Sequence, residues 1–166
     1  MKSKQYSPQE SESVKKHIEK YFGKIDRMLH GENSLVDICV INPAEEHNFY
    51  TLVTFGMGAF RMKIPRKYKK AACDRAEIMI TLPPDWDISG KDEAFRWPLE
   101  ELNGLAEMEE DSDWLGWGHV AGGGRIAQST EFSGAILLEP YVKDISCRRC
   151  VLNKGENVAF FQVYPI

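Results

Sequence analysis

The chain has no apolar run approaching the ~18–20 residues that a membrane-spanning helix needs, and residues Met1 to Glu10 are polar, without the apolar region of a secretory signal. Neither a membrane partner nor export is expected, and the predicted location is the cytoplasm. Cysteine is sparse: Cys39, Cys73, Cys147 and Cys150 lack the spacing of a disulfide framework, so free thiols are expected. No repeat or low-complexity tract is present, and 166 residues suffice for one hydrophobic core, so a single domain is expected.

Catalytic and cofactor motifs are equally scarce. Cys147-Arg148-Arg149-Cys150 has the spacing of a redox or zinc half-site, but residues three apart on a strand point to opposite faces, and no second half-site completes a tetrahedral set. Gly122-Gly123-Gly124-Arg125 lacks the Gly-Lys-Ser/Thr ending of a phosphate loop and does not lead from strand into helix. No G-x-S-x-G motif accompanies His119, which reads either as a general base or as a hydrogen-bonded structural residue. No metal or cofactor is expected. Nucleic acid is not an expected partner either, since the net charge is −4 and no basic stripe is interleaved with aromatics.

What the chain does have is concentrated between Ile78 and His119, which holds all four tryptophans: Trp86, Trp97, Trp114 and Trp117. A tryptophan brings a large apolar body and one N–H that needs a partner, so such a cluster marks a folding nucleus, a binding face, or both. Charge is uneven as well. Arg61 to Arg75 holds seven basic residues against Asp74, and Asp85 to Asp113 holds eleven acids against Lys91 and Arg96, local excesses of +6 and −9. Two solvated faces account for this, as does a surface that steers a charged partner.

Local patterns give the elements. Ser7-Pro8-Gln9-Glu10 is a capping box with proline at the first helical position, and Val14, Ile18, Tyr21 and Phe22 follow at helical spacing, which predicts a helix over 8–22. Strands are predicted after Gly23, over Leu35–Ile41, Phe49–Phe55 and Ala76–Leu82, and then over Glu131–Leu138, Ile145–Leu152 and Val158–Tyr164. Trp97-Pro98 is read as the opening of a second helix that ends near Met108 and buries Leu99, Leu102, Leu105 and Ala106; residues 114–124 are read as an irregular glycine-rich connection. The fold class is therefore α+β, a mixed, largely antiparallel sheet of about six or seven strands with two helices packed on it.

Several segments, in this order, resemble the suppressor-of-fused domain: Asp37-Ile38-Cys39-Val40-Ile41-Asn42-Pro43, Tyr50 to Met57, Arg75 to Pro83 with Asp85-Trp86, the Trp97-Pro98 helix, Gly118-His119, Thr130 to Leu138 and Val158 to Ile166. The resemblance runs from about Gly23 to the end and implies an α+β fold that binds other proteins without known catalysis. Animal members hold transcription factors, partly by taking an extended peptide into the sheet. Bacterial single-domain members, which this chain resembles in length, are predicted immunity proteins for toxins. The resemblance thus implies a protein partner, a cognate toxin domain, with strand addition at a sheet edge as the alternative mode. The residues expected to meet it are Asp85, Trp86, Glu109, Glu110, Asp113, Trp114, Trp117 and His119.

Overall fold

A computed structural model describes residues 5–31, 33–110, 114–122 and 124–166, with only the backbone of Glu109 and Glu110. Helix α1 (Pro8–Tyr21) begins as its sequence demands: Ser7 Oγ accepts from the Glu10 amide and the Glu10 side chain accepts from the Ser7 amide. Its face of Val14, Ile18 and Phe22 is buried. Gly23 then turns the chain at φ 129°, where a side chain would strike Ile41 and His47.

Four strands follow as an antiparallel meander, β1 (Ile25–Leu29), β2 (Asp37–Ile41), β3 (Tyr50–Phe55) and β4 (Ala76–Leu82). Helix α2 (Glu93–Glu110) leaves the sheet, and β5 (Val120–Gly122), β6 (Gly134–Leu138), β7 (Arg149–Val151) and β8 (Asn157–Pro165) return to it. Strand β8 is inserted parallel to β4, giving the order β1-β2-β3-β4-β8-β6-β5, while β7 pairs with β8 beside β6. The sheet is mixed, mostly antiparallel, and has eight strands.

Alternation along the strands divides the core between two faces. Ile38, Val40, Leu52, Ile78, Ile80 and Val163 pack with Trp97, Leu102 and Leu105 of α2. Cys39, Ile41, Val53, Met79, Val158 and Phe160 pack with Val14, Ile18 and Phe22 of α1. The helices therefore cover opposite faces.

Three local predictions need correction. Helix α2 opens at Glu93, four residues before Trp97, because Asp92 caps it, its side chain accepting from the Ala94 amide. Pro98 consequently lies inside the helix and leaves the Ala94 carbonyl without its usual i+4 donor. Residues Ile145–Arg148 form a 3-10 turn before β7, so Cys147 and Cys150 both point into the α1-side core instead of to opposite faces. The glycine-rich connection also contains strand β5, three residues paired with β6.

A polar network lies within the α1-side core. Glu77 of β4 is fully buried, and its carboxylate accepts from Tyr6 Oη (2.6 Å), Thr54 Oγ1 (2.6 Å), the Gly56 amide (2.8 Å) and the Gly58 amide (3.1 Å). Arg75, two residues earlier, donates from Nε to the Gly58 carbonyl (2.6 Å) and pairs with Glu10 and Glu156, each at 2.8 Å. Burial raises the Glu77 carboxyl from 4.5 to about 7 against the pull of those four donors.

A carboxyl whose pKa is raised on folding binds its proton more tightly in the native state. Its contribution is complete below about 4.5, the value with the chain unfolded, and is lost as the pH rises through about 7. Urea unfolding of the wild type and of Glu77→Gln at intervals between pH 4.5 and 8 tests this. Wild-type stability relative to the variant is expected to fall across that window, by on the order of 3 kcal/mol for a shift of this size. A difference that stays flat with pH would contradict it.

Candidate functional site

The residues singled out in the sequence fall at opposite ends of α2, which at 18 residues is about 27 Å long. Asp85 is exposed in the turn after β4. Trp86, beside it, is half-buried: its indole N–H donates to the Phe95 carbonyl at 3.1 Å, and its ring meets Phe95 and Trp97 edge-on. Trp86 therefore fastens the start of α2 to the β4 turn, and only part of its ring remains at the surface. Trp97 is 5% exposed and structural, packed in the α2-side core from within the second turn of the helix and not from its entrance.

Trp114, Trp117 and His119 come together near the other end of the helix, where Met108 and Trp114 line one cavity. Leu115 is buried and its amide donates to Met62 Sδ at 3.2 Å. Gly118 adopts φ 79°; its amide donates to the Leu137 carbonyl (2.7 Å), and the Leu137 amide donates to the His119 carbonyl (3.0 Å). These bonds stitch the 114–119 turn to β6 and leave Trp117 standing out from the sheet, 62% exposed. Trp114 is half-buried, its ring 4.3 Å from that of His119 and 5.4 Å from that of Tyr68. The side chains of Glu109 and Glu110, and all of Asp113, lie outside the described residues.

His119 donates from Nδ1 to the Trp114 carbonyl at 3.1 Å, which fits the structural reading of this histidine; no serine or cysteine among the described residues is hydrogen-bonded to it. Burial pushes the Cys39 thiol up to about 12 and the Cys150 thiol to about 11, so both stay protonated at neutral pH and neither is an activated nucleophile. Among the described residues no group of three or more His, Cys, Asp or Glu is placed to hold a metal ion. No helix among them is long and apolar enough to cross a membrane.

The acids of the second segment form a surface. Glu93, Glu100 and Glu107 recur every seven residues, all exposed, and so lie along one side of α2. Asp85, Asp87 and Asp92 are exposed at its N-terminal end. Arg96 lies 3.9 Å from Glu100, and no ion pair among the described residues joins this segment to the basic stretch 61–75. In that stretch Arg61 pairs with Asp74 and Glu156, and Arg75 is buried, while Lys63, Arg66, Lys67, Lys69 and Lys70 are exposed.

One feature had no counterpart in the sequence reading. A groove of about 440 Å³ opens between Tyr68, Trp114, Trp117, Arg148, Arg149 and strand β8 at Phe160 and Phe161. Contact with the Trp117 indole, and beyond it Arg148, hold the Glu139 carboxyl at its rim below the ordinary range. The only sequence signal was the pair of arginines inside the C-x-x-C spacing, and pattern alone could not show that β6 and β7 share one edge of β8.

Comparison with known proteins agrees with the architecture. The chain is 25% identical over 169 residues to the uncharacterized protein UU111 of Ureaplasma parvum, covering 97% of this chain and 80% of that protein. Among solved structures, a Neisseria gonorrhoeae protein described as a homologue of suppressor of fused superposes with a TM-score of 0.61 at 18% identity, over 94% of this chain and 76% of that one. A chain of the Sufu–Fu complex gives 0.64 at 10% identity, over 97% and 77%. Drosophila Suppressor of Fused gives 0.62 at 11% identity, covering 98% of this chain but 43% of the other. The family model for suppressor of fused protein matches residues 32–166, and the chain belongs to the suppressor of fused (SUFU) family.

Proposed function

We propose that this protein is a non-catalytic binding protein, an immunity protein that neutralises a basic toxin domain by covering its working surface. The observation that carries this reading is the acidic stripe Glu93, Glu100 and Glu107 on the open side of α2, which has no cation of the basic segment against it among the described residues. The turn beyond its last residues presents Trp117 to solvent. Toxin domains that act on nucleic acid are commonly basic, and a surface of complementary sign speeds their capture and disfavours wrong partners. An exposed tryptophan beside it is the residue type that anchors interfaces. A structure of a SUFU relative in complex with Fu supports the coarser part of the reading, protein binding. Strand addition is the second mode: among the described residues β1 pairs only with β2 and β5 only with β6, so each end of the sheet offers an edge for it.

The product of the neighbouring reading frame tests the leading reading. It is expected to arrest growth alone, to be tolerated when the two are co-expressed, and to form a defined complex with this protein. Absence of a complex, or binding of many unrelated extended segments and no folded toxin, would count against it. Within the complex, Trp117→Ala is expected to weaken binding by about 2 kcal/mol or more in calorimetry. Reversing Glu100 and Glu107 to lysine should slow association at low salt much more than at high salt, followed by stopped flow.

The tryptophans should also separate by stability. Trp86→Ala removes a ring packed on Trp97 and is expected to cost about 2 kcal/mol or more in urea unfolding, whereas Trp117→Ala should stay within about 0.5 kcal/mol of the wild type. Equal losses would place both rings in the core.

A further inference from the structure

Gln5, Tyr6 and Ser7 lead into α1 beside the buried Glu77 network, and Tyr6 is the residue that enters it. Its hydroxyl donates to Glu77 Oε1 at 2.6 Å, its ring lies 5.4 Å from that of Phe55, and the Arg75 guanidinium stands over it at 5.8 Å. A side chain at Gly58 would meet the Tyr6 hydroxyl, so the tyrosine lies close against the Gly58 main chain, whose amide donates to the same Glu77 oxygen at 3.1 Å. With Tyr6 in place, Glu77 is 0% exposed. Helix α1 itself is held by Val14, Ile18 and Phe22 in the core, and Pro8 fixes its first turn, so the piece free to move is the part ahead of Ser7. A cleft of about 360 Å³ between Ser11, Ser34, Leu35, Asp37 and Phe55 flanks Tyr6 and gives its ring room to leave.

No cation among the described residues is bonded to Glu77, because the Arg75 guanidinium is taken up by the Gly58 carbonyl, Glu10 and Glu156. The neutral acid, by contrast, has a complete set of partners. A proton on Oε2 is donated to Thr54 Oγ1 at 2.6 Å, and the threonine hydroxyl turns to the Ile78 carbonyl at 3.3 Å. A carboxyl sealed from water with no cation on it favours its neutral form, in line with the rise of this one from 4.5 to about 7. Water reaching it reverses that preference. The other groups packed around it leave the change of charge to Glu77. Burial and then the charge of Glu77 push Tyr6 well above its ordinary value, and burial pushes Cys39 of β2 up to about 12 and Cys150 of β7 to about 11. Glu10 and Glu156, ion-paired to Arg75, lie below the ordinary 4.5, and Lys15 of α1 sits over the Phe55 ring at 5.3 Å. His17 of α1 shares part of the range: it stacks on Phe160, the residue across from Glu77 on β8, and burial lowers it from 6.5.

We infer that Gln5 and Tyr6 are a strap over Glu77, closed while the carboxyl carries its proton and lifting once the proton is lost, with Ser7 as the pivot and α1 left in place. The closed form binds the proton more tightly than the open, hydrated form. Opening is therefore rarest at low pH, grows about tenfold per unit as the pH rises from about 4.5 to about 7, and levels off above that. Acidification tightens the strap. The device lies on the sheet face opposite α2 and operates with or without a toxin.

The test follows hydrogen exchange of the Gly58 amide by NMR in the full chain, at intervals between pH 5 and 8, with each rate divided by its intrinsic value to give the opening equilibrium. In the wild type that equilibrium is expected to rise about tenfold per unit up to pH 7 and then flatten. It should not respond to low concentrations of urea, and the core amides of β3 and β4 should stay better protected throughout, as a local opening requires. In Glu77→Gln, which keeps His17, the slope with pH is expected to vanish. Tyr6→Ala, which removes the strap and leaves the α1 core intact, should exchange Gly58 quickly at every pH while the β3 and β4 amides remain protected. A wild-type equilibrium that stays flat with pH, a slope that survives in Glu77→Gln, or a Gly58 amide that exchanges only together with the β3 and β4 core as urea is added would overturn the inference.

Discussion

Arg75 and Glu77, a guanidinium and a carboxyl group sunk beside the central strand, set the terms for the rest of the molecule. Charges taken out of water are tolerable only when every hydrogen-bonding position around them is filled. Glu77 meets that demand with neutral donors from three places: Tyr6 ahead of α1, Thr54 on β3, and the 56–58 turn. Arg75 meets it with carboxylates from α1 and from the turn before β8, Glu10 and Glu156. A side chain at position 58 would run into the Tyr6 hydroxyl, so glycine is required for the turn to approach this closely. The network thereby clamps the start of α1 against one face of the sheet. Much of that face is committed to internal contacts, and a ligand is better served by the α2 side and the edges.

The topology then decides what occupies the α2 side. A strand parallel to its neighbour needs a long crossover, and between β4 and β8 the chain spends residues 83–156 on one. Every candidate binding residue lies in that crossover. Because β8 enters last, its outer edge is met by two short strands from the same excursion, β7 at Asn157–Ala159 and β6 at Gln162–Pro165, and the groove opens beside their junction. The groove is thus a product of chain order, not of any local motif.

This explains what could be read from the residues and what could not. The capping box at Ser7, the β-branched runs of β2 and β3 and the apolar run of β4 are local signals, and each lies where its pattern implied. The start of α2 was misread because Trp97-Pro98 imitates a first turn, while the true cap, Asp92, is followed by the weaker helical text Glu93-Ala94-Phe95-Arg96. Strand β5 was hidden by its length and its glycine, and it exists because β6 lies beside it. Trp86 reads as an exposed loop residue until the Phe95 carbonyl arrives to take its N–H. Nothing local marks Glu77, one charge in an apolar strand, since its partners come from residues 6, 54, 56 and 58. In each case the missing information was a contact distant in sequence or a pairing made elsewhere.

The charge pattern gains meaning from the same comparison. Had the basic and acidic segments paired with each other, their opposite excesses would be spent inside the fold. Instead Arg61 and Arg75 are satisfied by Asp74, Glu10 and Glu156, the exposed cations of 63–70 carry the positive remainder, and the acids of 85–107 stay on α2 and the turn before it, with Arg96–Glu100 their one ion pair among the described residues. Physiological salt screens exposed charges beyond about 8 Å, so two such regions do not cancel where they lie further apart than that. Tyr68, from the basic stretch, lines the groove with Arg148 and Arg149, which gives that side a positive character. The stripe on α2 is negative and suited to a basic protein surface. A net charge of only −4 thus conceals two surfaces of opposite sign, and the sign a ligand would meet is that of the local surface.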